Sequence, residues 1–530
     1  MIFYDKNDEI LKNIAERFEK RLKVSTDVTL KIDKSMGEFD SEIKDGVISA
    51  GAYGQLLDAC GRFIRNPEIK NSKFHSAKEI CGMYFATHNK NFMDDAPIEK
   101  VCDYIDDMAF WGMNTFKVWF DMHYYRNMEE GKDQVKRLKQ MIAHANSIGV
   151  KIIMTNLANE AFKDSPEHLR ADWTGGHDGY TKNIVDHYHI EICPSKPGGM
   201  EKILEYRRQF LESFKDVKFD YITIGAYDEG GCTCPDCAPW GGNGLLRCAE
   251  ALISLYKEYY PDIKACLGLW GVSRFRNDND EFLGIKKAFD DGRLSDVSYF
   301  VYETGDSNYP FEEGMPRPMV GFPEISMYGA WPWGGYGANP MPRRFDKIWE
   351  ENGDKYEGGW PYSEGIYEDI NKIIMLRKYR DNQSSEETVK EYLAYEFGLT
   401  GEMLEKAKNA IFDMEETLER GLDRPNHRYP IYNPEKTQQI DEAMQEVSDS
   451  LPEEIREGVK WQMLYLRAKI DGELGRNNFT RNDKVKEYFQ KIIDVSDIQN
   501  GAEWIMPDVG EYVEGKYKWV KLFCKDDETF

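Results

Sequence analysis

At 530 residues the chain is too long for one ordinary core, so two or three domains are expected. With 31% charged and 41% hydrophobic residues it has the composition of a folded globular protein. Its 69 basic and 94 acidic residues leave a formal charge of −25, which argues against nucleic acid or an anionic membrane as partner, since both need clustered Lys and Arg.

The N-terminus, Met1-Ile2-Phe3-Tyr4-Asp5-Lys6, has no basic stretch leading into an apolar core, so no secretory signal is read there. No run of about 18 apolar residues suggests a membrane span. The expectation is a cytoplasmic chain whose ten Cys are reduced thiols, metal ligands or core filler rather than a disulfide framework. A homo-oligomer is compatible with the sequence.

Residues 1–78 read as a small α/β domain. Helical spacing runs over 8–23 through Ile10, Leu11, Ile14, Phe18 and Leu22, strands follow at 28–32 and 39–48, and a second helix opens after Gly51-Ala52-Tyr53-Gly54. From 79 to 382 the pattern becomes strand, loop, helix, repeated. Candidate strands are 82–86, 115–120, 151–156, 221–226, 264–269, 297–302, 324–328 and 358–362, with amphipathic helices at 98–111, 135–148, 200–214 and 245–260. Such alternation predicts parallel strands with crossover helices, and eight of them over roughly 300 residues fit a (β/α)8 TIM barrel. A doubly wound open sheet is the runner-up, weakened because no Gly-rich nucleotide fingerprint follows the first strand. Residues 383–530 read as a mostly helical C-terminal domain, including one long helix over 452–474.

The run Tyr227-Asp228-Glu229-Gly230-Gly231-Cys232-Thr233-Cys234-Pro235-Asp236-Cys237 follows the fourth candidate strand. Active sites of such barrels lie at the C-terminal strand ends. By alternation Thr223, Gly225 and Tyr227 share a face with Glu229, while Ile222 and Ile224 share one with Asp228. Small and polar residues suit the barrel axis, so Glu229 is expected to face the cleft. A carboxyl group in a partly dry mouth beside a second carboxylate should have a raised pKa, as a general acid requires. The bland alternative is a helix-capping Asp-Glu pair.

Glycoside hydrolysis commonly needs a second carboxyl, about 5–5.5 Å away for retention and further for inversion. Glu303 and Glu364, also at strand ends, are the candidates, each weighed against a structural salt bridge. Glu324 follows Pro323 and is expected to open its strand at the wrong end, and Glu160 is read either as a substrate contact or as a helix cap. Trp270, Trp331, Trp333 and Trp360 could stack on sugar rings. His88, Asn89, Asp121 with His123, and Asn156 could bond sugar hydroxyls, though any one is more often structural.

Cys232-x-Cys234-x-x-Cys237 has the density of a zinc site in a reducing compartment. Cys193, in Ile192-Cys193-Pro194 on the preceding loop, is the expected fourth ligand, with His187 or His189 as alternatives. Four thiolates would close the coordination sphere, so Zn²⁺ would be structural.

The chain resembles the barrel glycosidases of family 20, the β-N-acetylhexosaminidases, and of family 67, the α-glucuronidases, over roughly residues 20–380. The sharper part is Ile224-Gly225-Ala226-Tyr227-Asp228-Glu229, similar to the strand-four Asp-Glu of family 20. That resemblance implies Glu229 as general acid and Asp228 as the group orienting a substrate acetamido nucleophile. The helical region after the barrel looks more like family 67. Two departures from family 20 stand out: Cys81-Gly82 replaces the Arg that usually opens the first strand, and the thiols follow the acid pair directly.

These readings lead to an expected exo-acting glycoside hydrolase of short oligosaccharides, β-N-acetylhexosaminidase-like. The rival readings are an α-glucuronidase-like glycosidase, a zinc-dependent amide or ester hydrolase, and a non-catalytic carbohydrate-binding barrel.

Overall fold

The computed structural model describes residues 1–87, 91–180, 190–226, 231–273, 276, 278–302, 314, 316–326, 338–363, 369–417, 433–477, 482–496, 509–513 and 516–520. The N-terminal strands are β1 (Ile2–Phe3), β2 (Val28–Ile32), β3 (Asp40–Lys44), β4 (Val47–Ala50) and β5 (Ser72–His75), in sheet order β1-β2-β4-β3-β5. Helices Glu9–Arg21 and Tyr53–Arg65 bury Ile14, Phe18, Leu56, Leu57 and Cys60 against this unit. The single strand expected over 39–48 is a hairpin. Asp45-Gly46 turns it with positive φ at both residues (49° and 78°), the geometry favoured by a two-residue hairpin loop.

The barrel comprises β6 (Ile80–Phe85), β7 (Thr115–Trp119), β8 (Lys151–Leu157), β9 (Tyr221–Gly225), β10 (Lys264–Gly268) and β11 (Val297–Tyr302), then two strands each made of two pieces. The seventh is β12 (Met319–Gly321) with β13 (Glu324–Ser326), and the eighth is β14 (Tyr356–Gly359) with β15 (Tyr362–Ser363). All pairings are parallel, and β6 bonds both β7 and the eighth strand, so the ring is closed and the open-sheet alternative is excluded.

Both breaks fall at a proline, Pro323 and Pro361, which has no N–H to give to the ladder. The proline carbonyls still accept: Tyr362 N–H donates to Pro323 O (2.8 Å) and Tyr84 N–H to Pro361 O (3.0 Å). The seventh strand therefore starts at Met319, not 324. Glu324 opens its second piece, in register with Tyr362, and the expectation that it marks the wrong end of the strand is corrected.

The floor of the barrel is aromatic. Tyr221 of β9 meets Trp360 across the lumen (ring centroids 6.5 Å) and Tyr299 of β11 (6.4 Å). Trp360 Nε1–H donates to Thr115 Oγ1 (3.0 Å) and crowds Gly82, where a Cβ would lie 2.2 Å from the indole. Gly82 is thus fixed by its neighbour, and an Arg in its place would have no room. Outside the ring, Phe120 packs on Phe210 and Phe214 of helix Gly199–Phe214, each such buried side chain contributing about 1.5–3 kcal/mol.

Beyond helix Ile370–Asp381 the described chain is helical apart from a final hairpin, Val509–Val513 with Lys516–Val520. The helix expected over 452–474 is two, Glu453–Arg456 and Val459–Arg476, separated where Gly458 leaves helical geometry. Buried Arg467 bonds Ala338 O (2.5 Å) and Asp471 (2.6 Å), tying the helical region to the barrel. No helix among the described residues is long and apolar enough to cross a membrane.

Candidate active site and thiol cluster

Tyr221 faces the lumen, so alternation also turns Thr223 and Gly225 inward and Ile222 and Ile224 outward, as the sequence pattern implies. On the neighbouring strand Asn156 faces the helices, where its Oδ1 accepts from Tyr256 O–H (2.7 Å), which puts Thr155 on the inner face. Thr155 and Thr223 are register partners, and both hydroxyls are buried with no hydrogen-bond partner among the described residues.

Lys117 of β7 also lies inside. Its Nζ sits over the rings of Tyr84 (4.7 Å), Trp360 (5.2 Å) and Phe322 (5.4 Å), and burial pushes its pKa down to about 7. The sequence carries the signal for this placement in the parity of Lys117 between apolar Phe116 and Val118 in Thr115-Phe116-Lys117-Val118-Trp119.

The loops after β7 and β8 join through Asp121, His123 and Glu160. Their candidate ligand atoms all lie within 4.8 Å of one another, and all three residues are buried. His123 Nδ1 bonds Asp121 Oδ1, Met122 N–H donates to Glu160 Oε1 (2.6 Å), and Arg207 Nη2 lies 3.4 Å from Glu160 Oε2. Arg207 also donates to Leu157 O (2.8 Å). Burial, and then the Asp121 charge, push the Glu160 pKa up to about 8 against the pull of Arg207. Burial thus favours the protonated form of Glu160, which through Met122 N–H ties two mouth loops together.

The thiols converge as expected. Cys193, Cys232, Cys234 and Cys237 have Sγ atoms within 4.8 Å of one another, with Cys193 3.7 Å from Cys234 and 3.8 Å from Cys237. Ser195 Oγ lies 3.0 Å from Cys237 Sγ and accepts from Arg247 Nη2 (2.7 Å), which also reaches Cys237 Sγ (3.7 Å). Asp172 N–H donates to Cys232 Sγ (3.4 Å). Asn159 Nδ2 donates to Ile192 O (3.0 Å) and Gly231 O (2.9 Å), joining the loop before Cys193 to the one before Cys232. Trp240 fills the space beneath, so close to Gly231 that a Cβ there would lie 1.7 Å from the indole.

Of the other anticipated residues, Trp270 is half-buried just past β10. Asn156 and Trp360 are corrected: the first is 1% exposed and committed to Tyr256, and the second is fully buried in the floor, so neither lines an open cleft. Asp121, 3% exposed, is bonded within its own loop. Asp228, Glu229, Glu303, Glu364, His88, Asn89, Trp331 and Trp333 lie outside the described residues, as do the alternative ligands His187 and His189.

No protein-family model matches the chain, and no curated protein sequence matches it. Solved structures do. A family 89 glycoside hydrolase from Clostridium perfringens, in complex with 2-acetamido-1,2-dideoxynojirmycin, is similar with a TM-score of 0.62 at 13% identity; the match takes in 92% of this chain but only 65% of that one. A family 138 enzyme targeting pectin rhamnogalacturonan II has a TM-score of 0.57 at 11% identity, over 97% of this chain and 74% of its own. CpGH84B has a TM-score of 0.53 at 10% identity, over 95% and 93%.

The structural neighbours are glycoside hydrolases, and the shared feature is the fold: a TIM barrel with flanking domains. A family 20 exo-β-N-acetylglucosaminidase from Vibrio harveyi is similar at a TM-score of 0.48, too loose to carry an argument. The likeness to family 67 remains a reading of the sequence.

Proposed function

We propose that the protein is an exo-acting glycoside hydrolase of short oligosaccharides that carry an N-acetylated sugar. The observation that carries this reading is the inward face of β9. Tyr221 is fixed to the lumen by Trp360, and the strand ends at Gly225, three residues before Asp228 and four before Glu229. Glu229 thus belongs to the loop that follows the C-terminal end of β9, the end of a barrel where a carboxylic acid can protonate a departing glycosidic oxygen. Asp228 then orients the acetamido group, whose oxygen attacks the anomeric carbon as the bond to the leaving sugar breaks. In an ordinary two-carboxyl mechanism Glu303 or Glu364 takes the nucleophile or base role instead.

Two of the family 89 structures support an N-acetylated substrate, since that enzyme is bound there to 2-acetamido-1,2-dideoxynojirmycin and to GlcNAc-alpha-1,4-galactose. The α-linkage of the second keeps both anomers in the assay. Hydrolysis of aryl α- and β-glycosides, with and without a 2-acetamido group, tests the proposal. The N-acetylated members should turn over, and Glu229→Gln should lower kcat by about 10²–10⁴-fold. A catalytically silent protein that still binds the sugars would establish the binding-barrel alternative instead.

A further inference from the structure

The four thiols after β8 and β9 form a metal site of definite geometry. A Zn²⁺ ion with Zn–S bonds of about 2.3 Å at tetrahedral angles sets its sulfurs about 3.8 Å apart. Cys193 lies 3.7 Å from Cys234 and 3.8 Å from Cys237, and no pair in the set exceeds 4.8 Å. We propose that Cys193, Cys232, Cys234 and Cys237 bind one Zn²⁺ as a closed tetrathiolate site that pins together the loops following β8 and β9.

Three further observations agree with thiolate ligation. First, the sulfurs are met by donors: the Asp172 N–H points at Cys232 Sγ, and Ser195 and Arg247 meet Cys237 Sγ. Such contacts spread the negative charge of a tetrathiolate centre and hold its ligands in orientation. Second, Cys193, Cys232 and Cys237 are fully buried, so the sulfurs are shielded from oxidants. Third, the sulfurs crowd around a point too tightly to wrap a multi-iron cluster, whose thiolates are spread over several irons. On binding, the four S–H protons go to solvent and four S–Zn bonds form, leaving a centre of charge 2−. Arg247 stands next to it and offsets part of that charge.

Four thiolates leave no position for water, so the ion does not activate a nucleophile, and a zinc-dependent amide or ester hydrolase does not fit this centre. Its effect is mechanical. One end of the segment holding Asp228 and Glu229 is fixed by β9, and the other by Cys232, one residue beyond the Gly231 that Asn159 and Trp240 hold. The pinning role rests on the proposed function of that segment, whereas the metal site itself does not.

The test is the metal content of the full chain, purified under reducing conditions from zinc-supplemented medium and passed through gel filtration. One zinc per chain is expected. Mercurial titration of the thiols should release it, and Co²⁺ substitution should give the intense visible bands of tetrahedral cobalt with sulfur-to-metal charge transfer. Cys234→Ser, at the half-buried position, should retain less than half of the zinc. Less than about a tenth of an equivalent of zinc in wild type, both as purified and after reconstitution with zinc and reductant, would overturn the site; iron in its place would overturn the identity of the metal. These readouts do not depend on turnover, so an inactive protein with one zinc sinks the glycosidase and spares the site.

Discussion

Asp121, His123 and Glu160 bring their ligand atoms as close together as the four thiols do, each set within 4.8 Å, on adjoining loops of the barrel mouth. The two sets differ in what already occupies the lone pairs. Glu160 accepts from Met122 N–H and faces Arg207, Asp121 bonds His123, and the surroundings favour a proton on Glu160. The thiols have mainly one another, with donors arranged around the outside of the set. Proximity alone does not select a metal: carboxylate and imidazole donors already met by an N–H, by one another and by a guanidinium form a hydrogen-bonded staple, whereas four convergent sulfurs suit a soft metal.

The contrast is sharpened most by removing ligands. Cys193→Ser with Cys237→Ser should empty the thiol centre and lower stability by roughly 3–5 kcal/mol, read from denaturant unfolding of the reduced protein. A pair of substitutions that keeps both zinc and stability would break the distinction.

Next in size is Lys117→Met. The folded pKa of Lys117, about 7, lies below its unfolded value, so the unfolded chain binds the extra proton between about pH 7 and 10.5 and stability rises with pH across that window. The variant should be more stable by roughly 1–3 kcal/mol below pH 7 and should lack that rise. An unchanged slope would mean that Lys117 does not titrate there.

Glu160 has the opposite sign. Its folded pKa, about 8, lies above the unfolded value, so its contribution is complete below about pH 4.5 and is lost as pH climbs to 8. Glu160→Gln mimics the protonated form, so it should change stability by less than about 1 kcal/mol at pH 5 and flatten the decline above it. The smallest effect is expected of Asp121→Asn, which should leave the zinc content of the chain unchanged. Loss of metal in either variant would make the carboxylate cluster a second metal site.

Much of the barrel was legible because alternation and amphipathic spacing are local. Ile222 and Ile224 against Thr223 and Gly225 already encode an outer and an inner face. The seventh strand was placed late because Phe322-Pro323 reads as a boundary, while the ladder resumes on its far side through the proline carbonyl. The hairpin at Asp45-Gly46 is hidden because β-type residues flank it closely on both sides over 39–48, although Asp-Gly is a strong turn signal. The convergence of Cys193 on the Cys232 triad could be anticipated because successive βα loops of a barrel are neighbours. The partners of Asn156 and Trp360 could not, since both depend on long-range packing, against Tyr256 on a helix and Thr115 two strands round the ring. The state of Glu160 is likewise non-local: burial and Asp121 favour its proton, while Arg207, which reaches in from a helix 47 residues along the chain, opposes it.

The most direct measurement of the central claim is paired turnover of aryl 2-acetamido-glycosides by zinc-replete wild type and Glu229→Gln, each with its zinc content determined. Hydrolysis by wild type, and a fall in kcat of about 10²–10⁴-fold in the variant at equal zinc, is the predicted result. Equal rates in the two proteins, or no hydrolysis of any glycoside by wild type, would contradict it.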